Sequence, residues 1–403
     1  MKRRKIASID IGTSKICTVM ADTDGADLRI LGVGLVPSRG LQKGLVVNLN
    51  DARDSIRNSV QIAEHAAGYR LESAVVGITG RHINSINNRG VVAITSNRQM
   101  VRQEDVDRVL EVAQNTVQQA TTGGTSILHL IPQYYVVDGQ DGIKNPVGMS
   151  GFRLDVATHT VTAAQSAVDN LTKCVRAAGI EIEDMVFEPL ASAEAVLTED
   201  ERQNGVIMAD IGGGTTGVAV IYNNNLVHTS VLPVAGHSLT HDISVGLGIS
   251  FELAEEIKKK YASVESSIER MADRAITEGG QTVPYSELYE IVRSRMEETL
   301  RLIILEIPED IKALRGGLVL TGGSSVLPGL LELGLEISHM PVRLGMPPQL
   351  YGVADDLAYS DCATSVGLLM WELTHSTGHR PRPEEPRSRT FMSDLTHMFS
   401  RAK

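Results

Sequence analysis

Aromatic residues are scarce in this chain: they make up 4% of its 403 residues, and only one is tryptophan. Positive charge is also in short supply, since the formal net charge is −11. Proteins that bind nucleic acids rely on basic surfaces and on aromatic side chains against which bases stack. The composition therefore argues against a nucleic-acid partner.

Cysteine is equally rare, because Cys17, Cys174 and Cys362 are the only three and no C-x-x-C pair occurs. Neither a zinc site nor a disulfide framework is indicated. No apolar run approaches the ~18 residues that a membrane-spanning helix needs. Two common nucleotide-binding motifs are missing as well: the G-x-x-x-x-G-K-[ST] loop, and a G-x-G-x-x-G that opens a helix after a strand. The hydrophobic content of 42% still suits two or three domains with proper cores.

What the chain does contain is one short motif in two copies, Asp10-Ile11-Gly12-Thr13 and Asp210-Ile211-Gly212-Gly213-Gly214-Thr215. Each copy lies between two apolar runs, which predicts a β-hairpin with a glycine turn. Glycine lets backbone N–H groups curl toward an anion, and hydroxyl groups add donors at Thr13, Ser14, Thr215 and Thr216. Because phosphates repel carboxylates, we expect Asp10 and Asp210 to hold a magnesium ion through water. The two hairpins predict two related half-domains that clamp one nucleotide.

A single glycine turn between strands is usually only a turn. Here a third glycine-rich turn, Thr321-Gly322-Gly323-Ser324, follows a strand predicted at residues 317–320. Three such turns in one chain favour a binding function over a purely structural one.

The remaining pattern predicts alternating strands and helices. Strands are expected within 5–36 and at 74–78, 90–94, 127–137 and 153–163. Helices are expected at 51–68 (capped by Asp51), 103–119, 165–178, 189–197, 238–245, 251–261, 285–305 and 362–371, with Gly246-Leu247-Gly248 joining two of them. The segment from about 84 to 162 indicates a β-α-β-β module inserted between the two glycine hairpins.

These motifs and their order resemble the actin-like ATPase superfamily. Residues 187–193 look like the first helix that connects the two lobes, residues 363–367 look like the second, and Ala254-Glu255-Glu256-Ile257-Lys258 looks like the E-x-x-K element over the nucleoside. Within the superfamily the chain resembles the FtsA family of bacterial cell division proteins, whose 1C (SHS2) subdomain is inserted at the same place. The resemblance covers nearly the whole chain.

The resemblance implies an α/β actin-like ATPase fold, with two lobes around a nucleotide cleft and a C-terminal amphipathic helix. It divides the chain into lobe I (1–83 and 163–187), the inserted subdomain (84–162), the core of lobe II (188–235), its outer subdomain (236–315), a segment that completes the core of lobe II and returns to lobe I (316–377), a disordered linker (378–388) and the amphipathic helix (389–403).

The resemblance also assigns roles around ATP and Mg²⁺. The first phosphate loop would consist of Asp10, Gly12, Thr13, Ser14 and Lys15, the second of Asp210, Gly212, Gly213, Gly214, Thr215 and Thr216, and the adenosine site of Gly322, Gly323, Ser324, Glu255 and Lys258. Glu188 occupies the place of a water-orienting catalytic group. Its alternative role is that of a carboxylate at a helix N-terminus, which the helix dipole favours. We expect at most a weak ATPase.

The last fifteen residues, RTFMSDLTHMFSRAK, place their large apolar side chains on one helical stripe, formed by Phe391, Met392, Leu395, Met398 and Phe399. Basic residues, including Arg401, flank the stripe, and a proline-rich linker precedes it. This pattern predicts a helix that lies in an anionic membrane surface; the alternative is a helix that folds back on the body or enters a partner's groove. One tail binds only marginally, so we expect attachment and self-association to be coupled.

By resemblance, the partners are the C-terminal peptide of FtsZ, further copies of the chain and later division proteins, at the cytoplasmic face of the membrane at the division site. The peptide would meet the outer subdomain near Arg293, Arg295 and Arg301. The alternatives are a sugar kinase, a DnaK-like chaperone, and an MreB-like or PilM-like filament or scaffold protein. Against a sugar kinase, no sugar pocket or catalytic base can be placed in the sequence. Against a chaperone, the peptide-binding domain is missing. Neither kinases nor chaperones have a use for the amphipathic tail.

Overall fold

The computed structural model describes residues 3–24, 28–95, 99–121, 123–265, 275–309, 311 and 314–375. Nineteen strands lie within these ranges: β1 Arg4–Ile11, β2 Lys15–Thr23, β3 Leu28–Pro37, β4 Leu41–Gln42, β5 Leu45–Val46, β6 Ser73–Ile78, β7 Ile83–Ala93, β8 Thr125–Val137, β9 Gln140–Ile143, β10 Arg153–Ala164, β11 Glu181–Phe187, β12 Val206–Ile211, β13 Thr216–Tyr222, β14 Asn225–Leu232, β15 Ala275–Glu278, β16 Gln281–Pro284, β17 Gly317–Thr321, β18 Val342–Leu344 and β19 Tyr351–Gly352.

Ten α-helices accompany them: α1 Leu49–Ala67, α2 Gln103–Ala120, α3 Gln165–Ala177, α4 Glu188–Val196, α5 Glu199–Asn204, α6 Gly236–Leu247, α7 Phe251–Tyr261, α8 Tyr285–Leu305, α9 Leu330–Ser338 and α10 Ala363–His375. None of these helices combines the length and the apolar character that crossing a bilayer requires.

The first lobe is built on a six-stranded sheet with the order β11-β6-β1-β2-β3-β19. Its central strand β1 is buried from Ile6 through Ile11, so both faces of the sheet are covered. A strand that is covered on both faces appears in the sequence as a continuous apolar run. The apolar run before Asp10 therefore predicts β1.

The second lobe repeats this plan in a five-stranded sheet with the order β14-β13-β12-β17-β18. In both sheets an antiparallel three-strand meander carries the glycine turn, and parallel strands extend the other side. The two hairpins even share one register: Asp10 pairs with Cys17 in the first, and Asp210 pairs with Gly217 in the second. The sequence repeat is therefore a structural repeat.

The inserted module carries a sheet with the order β7-β10-β8-β9, against which α2 packs through Val106, Val109 and Ala113. The chain leaves lobe I after β6 and returns to it at α3. Side chains of the module also reach lobe II, because Ser85, Asn87 and Gln133 donate hydrogen bonds to backbone carbonyls of the edge strand β14, at Thr229, Val227 and Leu226 respectively.

Two helices, α4 and α10, link the lobes and cross at very close range. A Cβ atom on Gly367 would overlap the backbone carbonyl of Ala191. The run of small residues in both segments allows this approach, as the sequence predicts.

Several details differ from the sequence prediction. Asn48, not Asp51, caps α1, because the Asn48 side chain accepts hydrogen bonds from the N–H groups of Asn50 and Asp51. Helix α6 continues through Gly246 and Leu247 and ends at Gly248, which adopts the left-handed conformation. Strands β11 and β14 and helices α5 and α9 are not predicted by the sequence pattern. The predicted linker and amphipathic helix lie outside the described residues.

Candidate functional site

The two glycine turns meet between the lobes. The first turn connects β1 to β2 and the second connects β12 to β13, and the motif aspartate is the next-to-last residue of the strand before each turn. Their tips touch: a Cβ on Gly213 would overlap the hydroxyl of Ser14, and a Cβ on Gly214 would overlap that of Thr13. A larger residue at either glycine would therefore collide with a side chain of the facing turn.

A cavity of about 420 Å³ lies along these turns, within the size range of small-molecule sites. It is lined by all but one of the residues that the sequence assigns to the nucleotide, namely Asp10, Gly12, Thr13, Ser14, Lys15, Glu188, Asp210, Gly212, Gly213, Gly214, Thr215, Glu255, Lys258, Gly322, Gly323 and Ser324. The exception is Thr216, whose buried hydroxyl donates to the Val234 carbonyl at 2.7 Å. Thr216 therefore stabilises the strand after the turn.

Three carboxyl groups face one another in the cavity. Burial raises the pKa of Asp10 to about 6, although Lys15 opposes the shift and a hydrogen bond from Ser365 (2.9 Å) lowers the pKa as well. Burial also raises the pKa of Asp210, which accepts hydrogen bonds from Ser192 at 2.6 Å and Thr364 at 3.0 Å. These hydroxyl groups belong to α4 and α10, so the connecting helices orient the two aspartates.

Glu188 is the first residue of α4, and its Oε1 atom is buried without a hydrogen-bond partner. Burial raises the pKa of Glu188 well above its usual value, and the charges of Asp10 and Asp210 add to the effect. A carboxyl group whose oxygen lacks a partner inside a polar cavity is suited to hold a water molecule or to neighbour a cation.

The donor set fits a magnesium ion that is held largely by water and phosphate. Among the described residues, no group of three or more His, Cys, Asp or Glu side chains is arranged to chelate a metal. Magnesium commonly uses only one or two protein carboxylates beside phosphate and water ligands. Asp10 and Asp210 can fill that role, and a cation there would offset the effect of burial that raises their pKa values.

Lys15 lies beside these acids and forms an ion pair with Asp361, with a distance of 2.6 Å between Nζ and Oδ2. Asp361 belongs to the segment that leads into α10, and the sequence analysis does not single it out. Its contact with Lys15 joins residues far apart in the chain, so local pattern carries no signal for it.

The opposite end of the cavity offers polar and apolar contacts for a nucleoside. Glu255 and Lys258 form an ion pair at 2.6 Å, and Lys258 also donates to the Gly236 carbonyl at 3.2 Å. The third glycine turn lies against the second, since Ser324 donates to the Gly212 carbonyl at 3.0 Å. Gly322 has a φ of 86°, and a side chain there would overlap Asp210. Val326, Leu327 and Pro328 complete this wall.

His237 is a second cavity residue that the sequence analysis does not single out. It follows the first residue of α6, and its Nε2 atom is 3.1 Å from the Ser14 hydroxyl across the cleft. Burial lowers the pKa of His237, and the charge of Lys258 lowers it further.

The three arginines proposed for peptide binding occupy different surroundings on α8. Arg293 lines a second cavity of about 260 Å³ together with Glu332, Leu333 and Glu336. Arg295 is ion-paired with Asp242 and Glu298. Arg301 is exposed. The three therefore do not form a single cluster.

Two family models describe most of the chain between them. The model "SHS2 domain inserted in FTSA" matches residues 80–162, and "Cell division protein FtsA" matches residues 207–367. A third model, "Diol dehydratase reactivase ATPase-like domain", matches residues 131–277. The cell division protein FtsA of Pseudomonas aeruginosa is 41% identical over 380 residues, which cover 92% of this chain and 89% of that protein.

Solved structures agree on the fold. A PilM–PilN type IV pilus biogenesis complex aligns with a TM-score of 0.64 at 16% identity, over 92% of this chain and 99% of that one. MreB5 of Spiroplasma citri bound to AMPPNP aligns with a TM-score of 0.51 at 14% identity, over 94% and 98%. The predicted actin-like ATPase fold with an inserted SHS2 module is confirmed.

Proposed function

Because the chain belongs to the FtsA family of cell division proteins, we propose that it is an ATP-binding, self-polymerising protein that tethers the FtsZ ring to the cytoplasmic membrane and recruits later division proteins. Its place would be the cytoplasmic face of the membrane at the division site. The observation that carries the nucleotide part of this proposal is the contact between the two Asp-Gly turns over one cavity.

The cavity supports ATP with Mg²⁺ as the ligand. Glycine turns supply phosphate ligands, Asp10 and Asp210 hold the ion through water, and Glu255, Lys258 and the third turn hold the nucleoside. The bound ion neutralises charge on the phosphates. The AMPPNP complex of MreB5, which shares the fold, supports the same choice of ligand.

Glu188 would orient the attacking water if ATP is hydrolysed. Burial raises the pKa of Glu188, and a raised pKa disfavours the ionised form that a general base needs. This supports at most a weak ATPase, with nucleotide binding serving mainly to control assembly.

Residues 389–403 would supply the membrane contact through Phe391, Met392, Leu395, Met398 and Phe399, with Arg401 near the lipid headgroups. The outer subdomain would receive the FtsZ peptide. Of the candidate arginines, Arg301 is exposed. Arg293 is ion-paired with Glu297 and Glu336, and Arg295 is ion-paired with Asp242 and Glu298. Tails arrayed on a polymer would bind through effective concentration.

Sedimentation with anionic liposomes, with and without ATP and FtsZ, tests the membrane tether. Phe399→Glu should reduce liposome binding at least about tenfold, because a carboxylate cannot enter the apolar stripe cheaply. Ser393→Glu, which adds the same charge to the polar face, should bind nearly as the wild type does. ATP binding should survive both changes. The tether is wrong if a chain without residues 388–403 still sediments with the liposomes.

A further inference from the structure

We propose that Thr240 is a positioning residue for the nucleoside, whose hydroxyl group holds Glu255 and Lys258 in the orientation that the cavity presents to a nucleotide. This inference rests on the proposed nucleotide binding and assigns to it a residue that lies behind the cavity wall. The carrying observation is that the Thr240 hydroxyl lies within hydrogen-bond distance of both members of this ion pair.

Thr240 lies one turn into α6 and is fully buried. It does not line the cavity itself, whereas Gly236, Glu255 and Lys258 do. The first turn of α6 is in turn attached to the second phosphate turn, because the N–H of Gly236 donates to the carbonyl of Gly212 at 3.1 Å. Thr240 therefore supports the nucleoside residues from a fixed part of the fold.

The Thr240 hydroxyl contacts three polar groups. Its Oγ1 atom is 2.5 Å from Glu255 Oε2, 2.9 Å from Lys258 Nζ and 2.9 Å from the carbonyl oxygen of Gly236. A hydroxyl group has one proton to donate and two lone pairs with which to accept. The carboxylate is the closer and stronger acceptor, so the proton is donated to Glu255 while Oγ1 accepts from Lys258. Thr240 thus bonds to both charges of the pair at once.

Lys258 has protein acceptors for all three of its N–H donors, since Nζ is 2.6 Å from Glu255, 2.9 Å from Thr240 and 3.2 Å from the Gly236 carbonyl. Glu255 is different, because a carboxylate has about four lone-pair positions and its Oε1 atom pairs with the exposed Lys259 at 3.2 Å.

Burial raises the pKa of Glu255, but hydrogen bonds from Lys258 and Thr240 outweigh burial and lower it below the usual value. Glu255 is therefore an ionised acceptor with capacity left for a hydroxyl or amino group of the nucleoside. In this arrangement Glu255 contacts the ligand, and Lys258 and Thr240 fix the position of Glu255.

Titration calorimetry with Mg²⁺ and either ADP or a nonhydrolysable ATP analogue tests the proposal. Thr240→Val keeps the shape of the side chain but removes the hydroxyl, so it should weaken binding of both nucleotides about tenfold, the scale of a hydrogen bond to a charged group. Thr240→Ser keeps the hydroxyl and should bind within about twofold of the wild type. Thr299→Val on α8 is the matched control and should bind as the wild type does. Thr299 is also buried and donates to the carbonyl four residues earlier, that of Arg295, at 2.9 Å, but it does not line the cavity.

A Glu255→Ala background distinguishes positioning from a general loosening of lobe II. If Thr240 acts through Glu255, adding Thr240→Val to this variant should change affinity about twofold or less. Thr240→Cys, whose thiol is only a weak donor, should show the same loss as Thr240→Val and replaces it if valine is not tolerated.

Three results would overturn the role of Thr240 while leaving nucleotide binding in place: wild-type affinity in the variant without the hydroxyl, a full loss in the Glu255→Ala background, or an equal loss in Thr299→Val. Failure of Thr240→Ser to restore affinity would show that the hydroxyl is not the cause. A folded wild type that binds neither nucleotide would overturn the proposed function and this inference together.

Discussion

At the scale of single residues, the acids of the cleft belong to the sequence motif, but the groups that hydrogen-bond to them do not. Asp10 and Asp210 belong to the repeated motif and could be chosen from the sequence. The hydroxyl groups that hold them, Ser365, Ser192 and Thr364, lie on helices that connect the lobes. Their contacts with the acids depend on tertiary packing, so periodicity and local motif do not predict them. For the same reason, the sequence alone does not predict that Asp361 and His237 belong to the cleft.

Asp210→Asn should change ligand affinity and stability in opposite directions. Asparagine keeps an oxygen that accepts from Ser192 and Thr364, but it removes a charge needed beside the cation, so Mg²⁺-dependent ATP affinity should fall about tenfold or more. Burial raises the pKa of Asp210 above 3.8. A raised native-state pKa costs stability once the pH exceeds the unfolded value. The nucleotide-free variant should therefore unfold at a higher temperature than the wild type at pH 7.

Calorimetry of binding and thermal melts at pH 7 measure both effects. Asp200→Asn, on the exposed surface of α5, controls for loss of a negative charge and should change neither quantity. A variant that binds Mg-ATP as the wild type does would contradict the role of Asp210 in holding the ion.

At the scale of elements, the sequence predicts most reliably where periodicity is long. Helix α8 spans Tyr285–Leu305 as expected, because its buried residues Leu288, Val292, Met296 and Leu300 recur at helical spacing. Strands β11 and β14 are harder to predict. In β11 only the last residues are fully buried, and in β14 buried positions are interrupted by polar ones. The predicted start of a helix is also wrong where several capping residues compete, as Asn48, Asn50 and Asp51 do at the start of α1.

The crossing of α4 and α10 yields a prediction for Gly367→Ala. The new methyl group would overlap the Ala191 carbonyl, and backbone cannot yield as a flexible side chain can. Overpacking of this kind costs about 1–3 kcal/mol, more than the helix propensity gained. Urea unfolding should show this loss of free energy. Gly334→Ala in α9 is the matched control, since its methyl group would meet only Val342 side-chain atoms at 3.3 Å or more. Equal stability of the two variants would show that the helices separate easily.

At the scale of the whole molecule, the inserted module is tied to both lobes. His159 lies at the contact with lobe II, where Nδ1 is 2.7 Å from the Asn87 side-chain oxygen and Nε2 is 2.9 Å from the Thr229 hydroxyl. Burial lowers the pKa of His159 from 6.5 to about 4, with a smaller contribution from His228. The neutral imidazole is therefore part of the folded contact.

Acid should weaken this contact in a defined window. Between pH 6.5 and pH 4 the unfolded chain binds a proton that the native His159 does not, so stability should fall as the pH decreases, by up to about 3 kcal/mol. His159→Gln should remove that part of the pH dependence. Urea titrations across this range measure it, with His65→Gln on the exposed face of α1 as the control. Identical pH profiles for the wild type and His159→Gln would contradict the assignment.

The hydrogen bonds from the inserted module to β14 also limit how another chain can contact this strand. The outer strand of an open sheet exposes carbonyl and amide groups that another chain can extend, and such extension leads to irreversible aggregates. On β14, the carbonyls of Leu226, Val227 and Thr229 already accept hydrogen bonds from module side chains. A second chain cannot add a strand there without displacing the module. The module therefore protects this edge of the lobe II sheet from extension by another chain, the kind of contact that leads to aggregation.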